Sequence, residues 1–427
     1  MNSVFMLSVK VLYAAILVYA VIGRLKYLLE TAEAISLCSQ NQNLRHVAGI
    51  GGTTSVHWCS SSSSLLIGTK KGRIYCSTID QKPNDDSNNS VEISSADGNR
   101  EINDQMVRWN ELESNDYKTK YPIYSMSMAS SSYGDEYVFC GSGDRWISVW
   151  RLSAKAAPEF VQKLGPHTGW VKDMVYDEEN LLLHSIGCNC VESWDCAALV
   201  RGQTRDATTT TSPIISHTTK RAIENSPTMG TTLSSDLLCL CSLPPSKSSS
   251  RLLVSGGVDG RIHLWLSDPR NAAAETNLNG KNPLHTASAH DGRVNAIVHS
   301  SATNTIFTVG NDGSLCAFRV SIEKGFELVS KLKIDEGKNS LRITVASIVS
   351  ESEKKGICSL ALGSSNGALY FAKAQIDPMD KIDFSVQDDS ATLGDGSMVY
   401  SMISEKGSDR SRLWVGHASG LAVVDRY

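Results

Sequence analysis

One short phrase occurs seven times along this chain of 427 residues. Each copy reads as an apolar strand, a tight polar turn and a second apolar strand. The copies are LLIGTKKGRIYCSTI (65–79), YVFCGSGDRWISVWRL (137–152), LLLHSIGCNCVESWDC (181–196), LLVSGGVDGRIHLWLSD (252–268), TIFTVGNDGSLCAFRV (305–320), ICSLALGSSNGALYFAKA (357–374) and RLWVGHASGLAVVDRY (412–427). A unit this small cannot bury its own apolar face, so repeated units must stack to make a core. The repetition predicts an all-β repeat architecture before any single residue is weighed.

Spacing and flanks extend the unit. Gly260, Gly313, Gly367 and Gly420 stand about 53 residues apart, longer than the roughly 40–45 of an ordinary blade repeat. The earlier markers, Gly72, Arg145 and Asn189, are less even because two polar insertions, near 81–105 and 197–232, intervene. The turns read as two-residue hairpins, Lys-Gly at 71–72, Asp-Gly at 259–260 and 312–313, Asn-Gly at 366–367 and Ser-Gly at 419–420, with Gly or Asn where positive φ is wanted. An apolar segment precedes every copy (55–59, 123–128, 170–176, 237–243, 294–299, 343–349, 398–403). Another follows most of them (106–112, 160–164, 283–287, 326–334, 382–386). Four strands per unit make a blade, and the expected fold is a seven-bladed β-propeller over residues 43–427. The last copy ends the chain on a third strand. Its fourth is expected from NLRHVA at 43–48, so that the two ends of the domain pair and no sheet edge stays open.

These phrases resemble the WD40 repeat, whose units carry Gly-His before the first strand and Trp-Asp at the end of the third. Blade three is the nearest match, GPHTGWVKDMVYDEENLLLHSIGCNCVESWD, with His167, Trp194 and Asp195. Blade five offers AHDGRV with His290 and Asp312, and Phe318 in place of the tryptophan. Blades two and four supply Trp150 and Trp265 with turn aspartates Asp144 and Asp259, without a preceding histidine. In blade three Cys188 or Asn189 takes the aspartate's place, and blades one, six and seven depart furthest. The resemblance implies a divergent member in which the family's His–Ser/Thr–Asp–Trp network is nowhere complete. It also implies a non-enzymatic scaffold binding protein or peptide partners, a monomeric propeller within a complex. Contacts are expected on the face where the histidine-bearing loops and hairpin turns meet, and Trp170, Arg145, Trp146 and Arg293 are its candidate residues, Trp and Arg being common anchors. Family members that serve cullin-type ligases carry Arg two positions after Trp-Asp; here Trp194-Asp195 leads to Cys196-Ala197.

Composition narrows the alternatives. A net charge of −4 argues against a broad phosphate-binding surface, and no nucleic-acid partner is expected. The 11 cysteines are odd in number and several, Cys76, Cys140, Cys239, Cys241, Cys316 and Cys358, fall inside strand patterns as small core residues. They read as reduced thiols in a cytosol-like compartment. Cys188, Cys190 and Cys196 with His184 nearby lack the paired spacing of a zinc site, and no metal, cofactor or catalytic set is expected. The contrasting possibility is a small-molecule-binding or enzymatic propeller that uses the central channel.

Residues 1–36 form an apolar N-terminal segment. The run VFMLSVKVLYAAILVYAVI at 4–22 is broken by Lys10 and followed by Arg24 and Lys26. As a helix it spans about 19 residues, enough to cross a bilayer if Lys10 snorkels. A membrane anchor holding a cytoplasmic propeller, a targeting peptide cleaved on entry to an organelle, and a misassigned leader all fit it. The insertions near 81–105 and 197–232 lack apolar content and read as surface loops.

Overall fold

The computed structural model describes residues 44–47, 50–59, 64–79, 107–131, 133–153, 156–167, 169–201, 236–244, 251–267, 283–334, 341–377, 381–405 and 411–426. The apolar segment 1–36 with its expected helix, the insertion near 81–105 and all of the second insertion beyond Arg201 lie outside these residues. After β1 (Leu44–Val47), blade one is β2 (Thr53–Cys59), β3 (Ser64–Thr69), β4 (Ile74–Ile79) and β5 (Val107–Glu111). Blade two is β6 (Ile123–Ser130), β7 (Glu136–Ser142), β8 (Ile147–Ser153) and β9 (Ala156–Leu164). Blade three is β10 (Asp173–Asp177), β11 (Leu182–Gly187) and β12 (Cys190–Asp195), followed by the helical turn α1 (Ala197–Val200). Blade four is β13 (Leu237–Leu243), β14 (Leu252–Gly257), β15 (Arg261–Leu266) and β16 (His285–Ser288). Blade five is β17 (Val294–Ser300), β18 (Thr305–Gly310), β19 (Ser314–Ser321) and β20 (Gly325–Lys333). Blade six is β21 (Ile343–Ser352), β22 (Ile357–Ser364), β23 (Ala368–Ile376) and β24 (Ile382–Thr392). Blade seven is β25 (Val399–Ser404), β26 (Ser411–His417) and β27 (Gly420–Arg426).

Every sheet is an antiparallel meander, and the seven sheets form a ring. The first strands pack side by side in the order β2, β6, β10, β13, β17, β21, β25 and back to β2. The ends close as the repeat count demands. β1 pairs with β27, Leu44 opposite Val424 through Val47 opposite Leu421, and supplies blade seven's fourth strand. Among the described residues blade three has three strands, the chain between Arg201 and Asp236 lying outside them, and its insertion starts with α1, whose Val200 is buried in the core shared by blades two and three. The expected turns need correction. The hairpins are mostly not two-residue turns. Blades one, two, four, five and six use three-residue loops whose last residue, Gly72, Arg145, Gly260, Gly313 or Gly367, lies at positive φ. The reason is the turn aspartate or asparagine. Asp144, Asp259, Asp312 and Asn366 each accept the backbone N–H two residues on, which sets a type I turn that needs a left-handed residue to rejoin the ladder. Only blades three and seven pair across two residues, Cys188-Asn189 and Ala418-Ser419, and Gly420 opens β27 instead of sitting in the turn.

Blades meet through their cores. A Cβ added to Gly141 of β7 would lie 2.6 Å from Val171 of the next blade. One added to Gly416 of β26 would lie 2.8 Å from Thr53 of blade one, so the closing contact copies the others. Partial polar networks reinforce the loops. In blade five His290 bonds Asp312 (2.8 Å) and Thr308 (2.9 Å), with Phe318 where the tryptophan would be. In blade two the Tyr117 hydroxyl donates to Asp144 (3.0 Å) in the missing histidine's stead. Trp150 donates to Ser148, Trp194 to Ser185 and Trp265 to Ser255, at 2.8–3.0 Å. Each network is short of a member, as the sequence implied.

Two predictions follow from this architecture. Removing residues 1–42 should leave the melting temperature unchanged, whereas removal through residue 50 should cost about 3–5 kcal/mol by exposing the Val47 and Ile50 pockets. Calorimetry of the two truncations checks this. The second concerns acid. Burial lowers His167 and His263 to about 4 and also lowers His417, so between pH 6.5 and 4 the unfolded chain binds more protons than the folded one. Stability should fall as pH drops through that window. Asp173, which burial raises to about 6, offsets one histidine there. Below about 3.8 protonation of the unfolded state's counterpart to Asp312, whose carboxyl His290 holds low in the fold, should lower stability again. Denaturant midpoints across pH 3–7 measure both steps.

Candidate functional site

The head of each first strand lies at the mouth of the central channel, and its local geometry repeats. Six first strands carry a bulge two residues in, at Thr54, Tyr124, Leu238, Asn295, Thr344 and Tyr400; Lys172 holds the matching place in blade three. An extra residue in the strand breaks the ladder and aims its side chain away from the sheet. Three of these side chains are spent on the neighbouring blade. Thr54 donates to Ile123 O (2.5 Å), Asn295 to Ile343 O (2.6 Å) and Thr344 to Val399 O (2.7 Å).

The remaining polar places differ in chemistry. Tyr124 stacks on Trp170 with ring centroids 5.9 Å apart and planes 21° from parallel. The Lys172 ammonium lies over both rings, 3.8 Å from the Tyr124 centroid and 4.6 Å from that of Trp170. Burial draws its pKa below the usual lysine range; Asp236 works against this and Arg293 with it. Across the closing seam Lys70 lies 4.9 Å over Tyr400 and donates to Ala418 O. Trp170 is 52% exposed, one of the few large apolar side chains open to solvent among the described residues.

Of the residues singled out from sequence, Trp170 and Arg293 precede the matching first-strand heads of blades three and five, and both are exposed. Arg145 and Trp146 belong to the blade-two hairpin loop. Arg145 O accepts the His167 N–H (2.7 Å), and Lys163 lies 4.7 Å over the Trp146 ring. Arg145 stays exposed at φ 73° where four other blades have glycine. Tyr124, Lys172 and Tyr400 were missed. They sit in strand patterns as ordinary alternating residues, and no spacing rule marks a bulge.

The chemically suggestive clusters are buried. His167, Cys190 and Glu192 place one donor atom each within 4.8 Å of one another, a wider set than the roughly 3.4–3.8 Å between donors around tetrahedral zinc. His167 faces Cys190 with Nδ1 (4.0 Å), and its Nε2 lies 3.5 Å from the Glu192 carboxylate without a hydrogen bond between those two atoms. The cysteine set read from sequence is not assembled: Cys196 packs into the core of blades two and three, and His184 bonds Ser193 and Ser267. Ser267 also donates to Asp177 (2.7 Å), which pairs with Arg251. Serine thus lies between histidine and aspartate, and Ser267 and His184 are fully buried. That order suits an inter-blade clamp; a nucleophilic triad needs the histidine in the middle and the serine exposed.

Comparison with known proteins agrees with this architecture. Residues 229–265 and 281–318 match the family described as "WD domain, G-beta repeat". No curated protein matches the chain. Among solved structures the chain is similar to the Myceliophteria thermophila Cps50 (Swd1) β-propeller domain, at 11% identity and TM-score 0.57, covering 90% of this chain and 100% of that one. It is likewise similar to the RRP9 WD40 repeats (13%, 0.57, 90% and 98%) and to U3-55K (12%, 0.57, 90% and 99%). The chain is thus a seven-bladed β-propeller, with partial His–Thr–Asp and Trp–Ser networks in place and two repeats that match the WD domain, G-beta repeat family in sequence.

Proposed function

We propose that this propeller is a non-enzymatic scaffold that recruits protein or peptide partners through the mouth-side face bearing Trp170, Arg293, Arg145 and Trp146. One observation carries the reading: a half-exposed tryptophan, stacked on a tyrosine and capped by a lysine, is held rigid at the solvent boundary. Such a group is costly to leave open and well suited to anchor a partner. Scaffold behaviour also accords with the family. The apolar run 4–22 extends the proposal to a propeller tethered at a membrane with its ring in the cytoplasm. Sedimentation of the full chain with carbonate-washed membranes, lost on deletion of residues 1–36, tests that part separately.

Partner capture tests the face. Trp170→Ala, Arg293→Glu and Arg145→Glu in the full chain should each lower recovery of stoichiometric partners, by about tenfold for the tryptophan, the loss typical of an interface hot spot. Melting temperatures should stay near that of the parent because all three side chains are exposed or half-exposed. Undiminished capture by the triple variant, measured by quantitative mass spectrometry, overturns this face.

A further inference from the structure

The geometry points to the chemistry of what this face takes: we propose that the sector of the mouth built by Tyr124, Trp170, Lys172 and Arg293 is a subsite for an acidic side chain, Asp or Glu next to an apolar residue, in an extended peptide segment. This rests on the scaffold reading above and goes beyond it by naming the ligand group. Of the seven equivalent places on the first strands, those of Thr54, Asn295 and Thr344 are closed by hydrogen bonds to the adjacent blade. Lys172 is different. It forms no ion pair among the described residues, and its ammonium is held against two aromatic faces, 3.8 and 4.6 Å from their centroids. Ring faces offer attraction to the cation but no anionic oxygen, so the ammonium is partly desolvated with no ion-pair contact among the described residues. Arg293 adds a second positive charge from blade five.

Among the described residues no acidic group of this rim forms an ion pair with Lys172. Asp312 is engaged by His290 and Lys331, and Asp395 by Ser397. Asp236 heads blade four, and its field reaches Lys172 without ion-pair contact. The apolar half of the subsite is Trp170, exposed beside the ammonium. A planar, singly charged carboxylate meets the Lys172 ammonium, with the Arg293 charge adding attraction at longer range, while its neighbouring side chain covers the indole. A phosphate group would call for the denser arginine clusters that recognise phosphopeptides.

The test immobilises the full chain and passes over it a degenerate pool of blocked nonapeptides, with enrichment read by mass spectrometry. Asp or Glu adjacent to an apolar residue should be enriched. The best peptide should lose about tenfold in affinity, the size of one charge-assisted contact, on Lys172→Met and again on Trp170→Ala, and retain it on Lys172→Arg. Its own Glu→Gln version should lose as much, and inorganic phosphate at millimolar levels should not compete. Selection of basic or uncharged peptides, acidic selection that survives Lys172→Met, or displacement by phosphate would each overturn the proposal. Equal melting temperatures for parent and Lys172→Met exclude misfolding as the cause. If the peptide selection fails while partners are still captured in a Trp170- and Arg145-dependent way, the acidic subsite falls and the scaffold reading stands. If capture is also independent of those residues, both fall.

Discussion

Four residue pairs between β1 and β27 hold this molecule in a ring. Without them blade seven keeps three strands and β27 presents a row of open backbone donors and acceptors. The pairing also brings Val47 and Ile50 onto Leu421 and Val423, in a cluster that reaches Leu65, Ile67 and Trp109 of blade one. Every other blade junction depends on this one. Each first strand presses its head against the preceding blade, and that contact can be made seven times only if the last blade finds the first. Thr53 against Gly416 is that final contact.

The ring was legible because its information is redundant. Seven hairpins repeat one pattern, and an error in any copy is outvoted by the rest. Most strand termini lie near the predicted segments, though β9 starts at Ala156 ahead of the expected 160 and β24 runs to Thr392 past the expected 386; even the closing strand could be read, since a ring with one third strand unpaired needs a partner from the other end. Turn geometry was less legible for a physical reason. Asp-Gly looks the same at the centre of a two-residue hairpin and at the end of a type I turn with a left-handed residue. The aspartate's bond to the backbone two residues on decides between them, and that bond depends on loop register. Arg145 shows the cost of relying on residue type: it adopts positive φ where glycine is usual. Relief of that strain by Arg145→Gly would stabilise by only about 1 kcal/mol, within what a binding role can outweigh.

The site was half legible. Trp170 and Arg293 stood out by residue type, since both are common anchors and both precede a first strand. What gives them a chemistry is set by neighbours far away in sequence. Tyr124 is in blade two and Lys172 in blade three, and their contact exists because the bulge at Tyr124 and the matching place ahead of β10 bring the two side chains together. A strand pattern with period two records which residues face the core; it carries no mark for one inserted residue. Tyr117 is a similar case. It reaches Asp144 across 27 positions, close to the 22 that separate His290 from Asp312, so spacing alone held a clue that a search for histidine passed over.

Blade three looked nearest to the family repeat by its His167, Trp194 and Asp195, yet the repeats that match the family in sequence are blades four and five, and blade three departs from the pattern in its chemistry. Its turn has no aspartate, and the Glu192 carboxylate of the third strand lies near His167; Val200 of α1 packs into the core it shares with blade two; and His184, Ser267, Asp177 and Arg251 clamp it to blade four. His167, Glu192, His184, Ser267 and Asp177 are buried, and Arg251 is half-buried. The same blade supplies Trp170 and Lys172 to the mouth. A blade whose loops are fixed by its own buried networks holds its exposed residues at fixed positions, and the stack with Tyr124 needs that precision, because cation–ring attraction falls away beyond about 6 Å. Divergence inside the blade and specialisation at its rim are therefore parts of one arrangement: the interior networks fix the platform on which Lys172 is held against its two rings.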